Sequence, residues 1–369
     1  MGATGKIEIN PTVHVRNHDD LAAVYTPGVA TEVKRVADDS ADLFTTTNAG
    51  NSVLIVSDGS AVLGVGDVGP RAALPVLEGK AALFKTFAGV DAWPLCLNSR
   101  GVDDIVRTLS DISSTVGGIN LEDVAAPRCF DITRRLDTEL DIPVFHDDQH
   151  GTAVIVLAAL HNALRVVGKE LADVVAVVSG AGAAGSAITR LLLEAGVGDV
   201  TVCDSSGVLN ADSQDLDQEK RWLAQNTNAH GRAGALSDSL ADADVFIGVS
   251  APGILDVTSF EQMRDDPIVF GLANPEPEFD AGSADRYATV VATGRSDMAN
   301  QINNALVFPG LFRGLLDGRL HTCGNDVHLA AAHAIADLVD QPDDKNIVPD
   351  IFDERLVPAV SAAVSNCAR

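Results

Sequence analysis

The chain has 369 residues, enough for two or three domains, and 46% of them are hydrophobic, so disorder is excluded as its main state. Aspartate and glutamate total 52 against 26 lysines and arginines, a net charge of −26. A surface this acidic repels phosphate backbones and anionic lipid, which argues against nucleic-acid or membrane-surface binding; an anionic ligand has to be drawn in by local positive charge or a bound cation.

The cysteines Cys96, Cys129, Cys203, Cys323 and Cys367 are widely spaced and form no CxxC pair. That suits a reducing cytosol better than a disulfide framework or a zinc knuckle. The first fifteen residues hold no apolar segment of a secretory signal. The longest apolar stretch, Ala153–Leu160, is far short of the ~20 residues of a spanning helix. A cytoplasmic globular protein is expected.

In chain order, Tyr25 comes first, one of two tyrosines, before the turn Thr26-Pro27-Gly28. A phenol stays protonated at neutral pH and suits a general acid; a packed loop aromatic is the alternative reading. The β-branched run Ser52–Val56 leads to Gly64-x-Gly66-x-x-Gly69. Pro70 and Pro75 should keep that pattern from opening a long uninterrupted helix, so it reads as a structural turn. Leu77–Phe87 is helical and carries Lys80 and Lys85, two of only seven lysines, about 140° apart around the axis. A lysine among apolar neighbours has its pKa lowered by desolvation, which suits a general base. Snorkelling to solvent is the alternative.

Two acidic pairs stand out. Glu122-Asp123 follows the turn Gly117–Asn120. Asp147-Asp148 follows the strand-like run Ile142–Phe145 and precedes the apolar helix Thr152–Val167. Acids at the C-terminal end of a strand face the crevice in which α/β sheets bind ligands. Glu122, Asp123 and Asp148, three carboxylates from two loops, suit Mg²⁺ or Mn²⁺; solvated or helix-capping acids are the alternative. The spacing His146–His150 does not make a zinc helix, because no glutamate adjoins the first histidine and Gly151 follows.

A boundary near His150 divides an N-terminal domain, residues 1–145, from a nucleotide-type domain, residues 146–369. In the second, Val174–Ser179 runs into Gly180-Ala181-Gly182-Ala183-Ala184-Gly185, then a helical stretch Ser186–Ala195, then Asp199–Cys203 ending at Asp204. This is the dinucleotide fingerprint in its strand–turn–helix context: glycines admit the pyrophosphate, helix N–H groups face it, and Asp204 would accept from the adenosine ribose. An acid there favours NAD over NADP, and Ser205-Ser206-Gly207 offers no cation for a 2′-phosphate. Further runs at Val245–Val249, Ile268–Leu272 and Thr289–Ala292 complete a doubly wound parallel sheet. Ser250 and Asn274 follow two of them, where loops facing the nicotinamide and the substrate are expected, and both are candidate cofactor-binding residues. Leu209–Lys220 and Asp340–Asp350 read as loops.

Taken together, several segments resemble the malic enzymes, in particular the short bacterial-type form. They are Ala23–Ala30, Val62–Pro70, Leu74–Lys85, Gly117–Asp123, Val144–Thr152, Thr293–Asp297 and Asn300–Gly310, in order and at family spacing. The resemblance implies an α/β fold with an N-terminal substrate and metal domain and a C-terminal Rossmann-type NAD(P) domain. It implies oxidative decarboxylation of (S)-malate to pyruvate and CO₂ with reduction of NAD or NADP and a divalent metal, by a homodimer. Glu122, Asp123 and Asp148 match the metal ligands, Lys80 the general base and Tyr25 the general acid. Asn274 and Asn304 match residues that hold substrate carboxylate, and Asp147 matches a neighbouring acid that is an alternative base. Met298-Ala299, where many members have Tyr-Pro, and Val65, where leucine is usual, depart from the pattern. A malolactic-type enzyme or oxaloacetate decarboxylase on the same fold and a metal-independent amino-acid dehydrogenase are the rival readings.

Overall fold

The computed structural model describes residues 5–213 and 216–368. Gln214 and Asp215, in the expected loop Leu209–Lys220, lie outside the described residues. The first sheet is four-stranded and parallel, in the order β2-β1-β3-β4, with β1 Ser52–Ser57, β2 Asp91–Cys96, β3 Ile119–Leu121 and β4 Val144–His146. β1, β3 and β4 are buried throughout, as parallel strands covered by helices on both faces should be. Pro94 is tolerated in β2 because β2 is an edge strand. Ile119-Asn120, expected in a turn, instead pairs with Leu54-Ile55 as part of β3, whose backbone is hydrogen-bonded between β1 and β4.

The second sheet has six strands in the order β10-β9-β8-β5-β6-β7, with β5 Val175–Ser179, β6 Asp199–Asp204, β7 Gly207–Val208, β8 Val245–Gly248, β9 Ile268–Gly271 and β10 Val290–Thr293. Only β7 runs antiparallel, as a short hairpin on β6. The order reverses between β5 and β8, and such a reversal opens a crevice at the carboxyl ends of the strands. Helix Ala183–Glu194 starts directly behind β5. The turn requires glycine twice. Gly180 has φ +119°, and a Cβ on Gly185 would lie 1.7 Å from the Gly180 carbonyl oxygen.

Helix Pro70–Ala88 corrects the expectation that its two prolines forbid a long helix. Pro70 stands in the first turn, where no N–H is needed, and Pro75 removes a single hydrogen bond. The buried face Ala73, Leu77, Lys80, Ala81 and Phe84 offsets that loss. The glycine pattern before it is a turn: Gly64, Gly66 and Gly69 all have positive φ, and Val62 bridges Gly66.

Helix Thr152–Val167 is apolar on all sides because protein surrounds it. With the π-type turn Asp147–Gly151 before it, the stretch Asp147–Val167 is long and apolar enough to cross a membrane, contrary to the sequence estimate, but 67% of its most apolar window is buried inside the protein. One apolar core extends across both sheets. At its centre Phe84 meets Phe308 at 4.7 Å and Phe312 at 5.4 Å, and Phe145 meets Phe312 edge-on at 5.8 Å. Phe308 and Phe312 belong to helix Phe308–Gly318, so the C-terminal part of the chain closes onto the first sheet.

The N-terminal helices His18–Val24 and Val29–Asp38 bury no residue, and Leu21, Val24, Tyr25 and Val33 are exposed on them and the turn between.

Phe312→Ala should lower the stability of the folded chain by about 3–5 kcal/mol, read as a shift in the urea midpoint, because it empties the junction of the two sheets.

Candidate active site

The carboxyl ends of both sheets open into one cavity of about 990 Å³. Each strand delivers its polar residue just past its last hydrogen-bonded pair. Glu122 and Asp123 follow β3, Asp147 and Asp148 follow β4, Ser250 follows β8, and Asn274 follows β9. Helix Pro70–Ala88 adds Lys80 from its buried face.

Lys80 is 8% exposed. Its Nζ lies 2.6 Å from Glu122 Oε2, donates to Asp147 Oδ2, and stands 4.4 Å above the Phe308 ring. Burial by itself would lower the ammonium pKa, but Asp147 and Glu122 outweigh it and hold it above the usual value. The expectation of a lysine depressed by desolvation is therefore corrected: the apolar run is real, but two carboxylates from other elements neutralise its cost.

The remaining acids, Asp123 and Asp148, have no lysine or arginine partner among the described residues. One oxygen from each of Glu122, Asp123 and Asp148 lies within 4.8 Å of the others. Asp123 Oδ2 is buried without a hydrogen-bond partner. Burial and the nearby Asp148 push the Asp123 carboxyl up to about 7, and burial raises Asp148 as well. Asp123 also holds a left-handed backbone, φ +54°, from which its N–H donates to Asp148 Oδ2 at 2.8 Å. Strained backbone at such a point is a mark of functional sites. An orphaned acid among three converging carboxylates fits a hard divalent cation. The grouping includes neither His146, at the end of β4, nor His150, in the turn after it; burial lowers His146 to about 4 and His150 to about 3.

Neighbouring side chains hold these acids in place. Asn120 donates to Glu122 Oε2 at 3.0 Å, and Asn304 Nδ2 donates to Asp147 Oδ2 and to the Asp147 carbonyl, both at 3.2 Å. Asn120 carries no motif signal beyond its place two residues before Glu122, and sequence reasoning passed over it.

On the nucleotide side, Gly182 precedes helix Ala183–Glu194 and nothing approaches the space a Cβ there would fill, so its N-terminus is open to a phosphate. Ala184 lines the cavity with Ser250, Asn274 and Asn304. Asp204 ends β6, accepts from Ser206 N–H at 2.8 Å and pairs with Lys220 at 2.7 Å. Lys220 is a cation at this point that the local sequence Ser205–Gly207 did not reveal; its place on helix Gln218–Asn226, sixteen positions on, hid it. Tyr25 is not gathered with the others. It is 68% exposed and outside the cavity of its own chain.

Residues 4–137 match the family model described as malic enzyme, N-terminal domain, and residues 149–368 match malic enzyme, NAD binding domain. The chain belongs to the malic enzyme family. It is 51% identical to an NAD-dependent malic enzyme of Geobacillus stearothermophilus, over all of this chain and 77% of that one. It is 49% identical to a bifunctional malic/malolactic enzyme of Bacillus subtilis, over 99% and 90% of the two chains. The crystal structure of malic enzyme from Pyrococcus horikoshii superposes with a TM-score of 0.96 at 45% identity, covering 99% of this chain and 87% of the other. The malic enzyme domain division leaves β4 at the seam, since Val144–His146 belongs to the first sheet while the helix after it enters the second domain.

Lys80→Met leaves Glu122 and Asp147 buried without their counter-ion. Its stability without added metal should fall by about 3–5 kcal/mol, measured by urea unfolding in EDTA.

Proposed function

We propose that this chain carries out the oxidative decarboxylation of (S)-malate to pyruvate and CO₂, with NAD as the main hydride acceptor, NADP as a second one, and Mg²⁺ or Mn²⁺ as a required ion. The observation that carries this reading is the convergence of Glu122, Asp123 and Asp148 beside Lys80, in the same cavity as Ser250 and Asn274.

Glu122, Asp123 and Asp148 would hold the ion. When bound, it supplies a Lewis acid for the malate hydroxyl and C1 carboxylate and draws on the Glu122 charge that otherwise holds the Lys80 proton. Lys80 must release its proton before it can take one from the C2 hydroxyl, and Asp147, already bonded to it, is the acceptor in reach. Lys80 then receives the hydroxyl proton as C2 gives its hydride to the nicotinamide. Loss of the C4 carboxylate from the resulting keto acid leaves the enolate of pyruvate. Lys80 returns the proton to the C2 oxygen, giving the enol, and takes it back as a phenol protonates C3, which completes pyruvate. Asn274 and Asn304 are the proposed carboxylate holders. Gly180, Gly182, Ala183, Ala184 and Gly185 would receive the pyrophosphate, and Asp204 the adenosine ribose. Lys220 beside Asp204 gives a 2′-phosphate a partner, which supports NADP as the second acceptor.

Tyr25 is the proposed acid at C3, and its exposure implies a second copy. The unpartnered apolar residues Leu21, Val24 and Val33 flank it on helices that bury nothing in their own chain. A homodimer that covers them would carry Tyr25 to its partner's cavity. A cytoplasmic location belongs to the same proposal, supported by five unpaired cysteines.

With malate and Mn²⁺, reduced cofactor should form with a higher kcat/KM for NAD than for NADP, and EDTA should abolish it; turnover that survives EDTA would favour a metal-independent dehydrogenase. Asp148→Asn should raise the Mn²⁺ concentration needed by at least about tenfold and remove the Mn²⁺-induced rise in Tm seen without substrate.

Copies carrying Tyr25→Phe and copies carrying Lys80→Ala should each be nearly inactive. Unfolded together and refolded in equal amounts, they should regain about a quarter of wild-type activity, since half the dimers then hold one intact site. No gain on mixing would place Tyr25 in its own chain's reaction or in none.

A further inference from the structure

Glu278 is the one glutamate among the described residues with no exposed surface at all. It lies five residues beyond the end of the β9 loop segment Leu272-Ala273, and no lysine, arginine or histidine among the described residues pairs with it. A buried carboxylate without a counter-ion is costly and calls for a compensating function or a full set of donors. Here the donors are backbone N–H groups from two different strand ends. Oε1 accepts from Ser250 N–H at 2.7 Å and Oε2 from Ala273 N–H at 3.1 Å. Burial pushes the carboxyl up, and these donors act against it.

The surrounding chain is built to leave room for this clasp. A Cβ on Gly248, the last residue of β8, would lie 2.4 Å from the Glu278 carboxyl carbon. Backbone bonds from Gly253 to Pro277 and from Leu255 to Glu278, each 2.9 Å, fasten the same two loops from the other side. Ser250 is joined in turn to Ser179 at the end of β5 through hydroxyls 3.0 Å apart. Thus one carboxylate spans β8 and β9 and reaches β5 through Ser250, at the reversal point of the sheet.

We infer that Glu278 is a positioning residue that sets the spacing of the loops bearing Ser250 and Asn274 against the nicotinamide half of the dinucleotide. It touches neither substrate nor cofactor. Two N–H donors aimed at one side chain demand an acceptor at both ends, which glutamate supplies and glutamine does not, and bonds to a charged acceptor are stronger than neutral ones. Fixing two loops in advance removes ordering cost from binding. The inference rests on the nucleotide reading above.

The test compares NADH with ADP-ribose, which keeps the pyrophosphate and adenosine but lacks the nicotinamide, by calorimetric titration without metal or malate. In Glu278→Gln, NADH should bind about tenfold more weakly while ADP-ribose keeps its wild-type affinity. Glu278→Asp keeps the charge but is one methylene too short to reach both loops, and it should show the same selective loss. Equal weakening of both ligands, or no change in either, overturns the assignment. Failure of both variants to fold also overturns it, by making Glu278 purely structural. Wild-type protein that binds neither ligand would instead sink the nucleotide reading itself.

Discussion

Four carboxylates facing one lysine set the terms for this molecule. Lys80 can balance Glu122 and Asp147, to which it is bonded, and no lysine or arginine among the described residues pairs with Asp123 or Asp148. The proposed cation would offset the repulsion in this arrangement. The same deficit accounts for the raised carboxyl of Asp123 and its unpartnered oxygen. The same proposed cation would let a protein of net charge −26 receive a dianionic substrate, by an attraction that is local and opposed to the field of the surface.

The fold answers a second demand, that acids and nucleotide meet. Two parallel sheets place their carboxyl ends on one cavity, and the aromatic junction of Phe84, Phe145, Phe308 and Phe312 holds them in that relation. Phe308 serves both ends, packing in the core and lying beneath the Lys80 ammonium. The π-type turn Asp147–Gly151 lets a strand pass directly into a largely buried helix, so that two successive aspartates stand at the cavity wall. Rigidity at these points matters because proton and hydride transfers depend on near-contact geometry.

Much of this was legible along the chain. The β-branched runs marked the five parallel strands of the second sheet to within about a residue or two, since burial on both faces leaves an unbroken apolar signature; the short β7 carried no such run. The fingerprint at Gly180–Gly185 was readable because only glycine fits where a Cβ would strike a carbonyl. The acidic pairs and Lys80 were visible as residues out of place in apolar surroundings. Less was legible where the deciding partner is distant. The prolines of helix Pro70–Ala88 spoke against a helix that tertiary burial sustains. Lys220 could not be tied to Asp204, nor Glu278 to Ser250, because each bond joins segments whose proximity no local pattern encodes.

Sequence by itself determined the inventory: which side chains bear charge, where glycine is obligatory, and the strand–helix order that makes a parallel sheet of the second half. Those features follow from residue type and near neighbours along the chain. Tertiary structure alone decided the state of Lys80, the grouping of three acids about a single point, and the separation of Tyr25 from its own cavity. Charge interactions depend on distance and burial, and both are created only when remote segments are brought together.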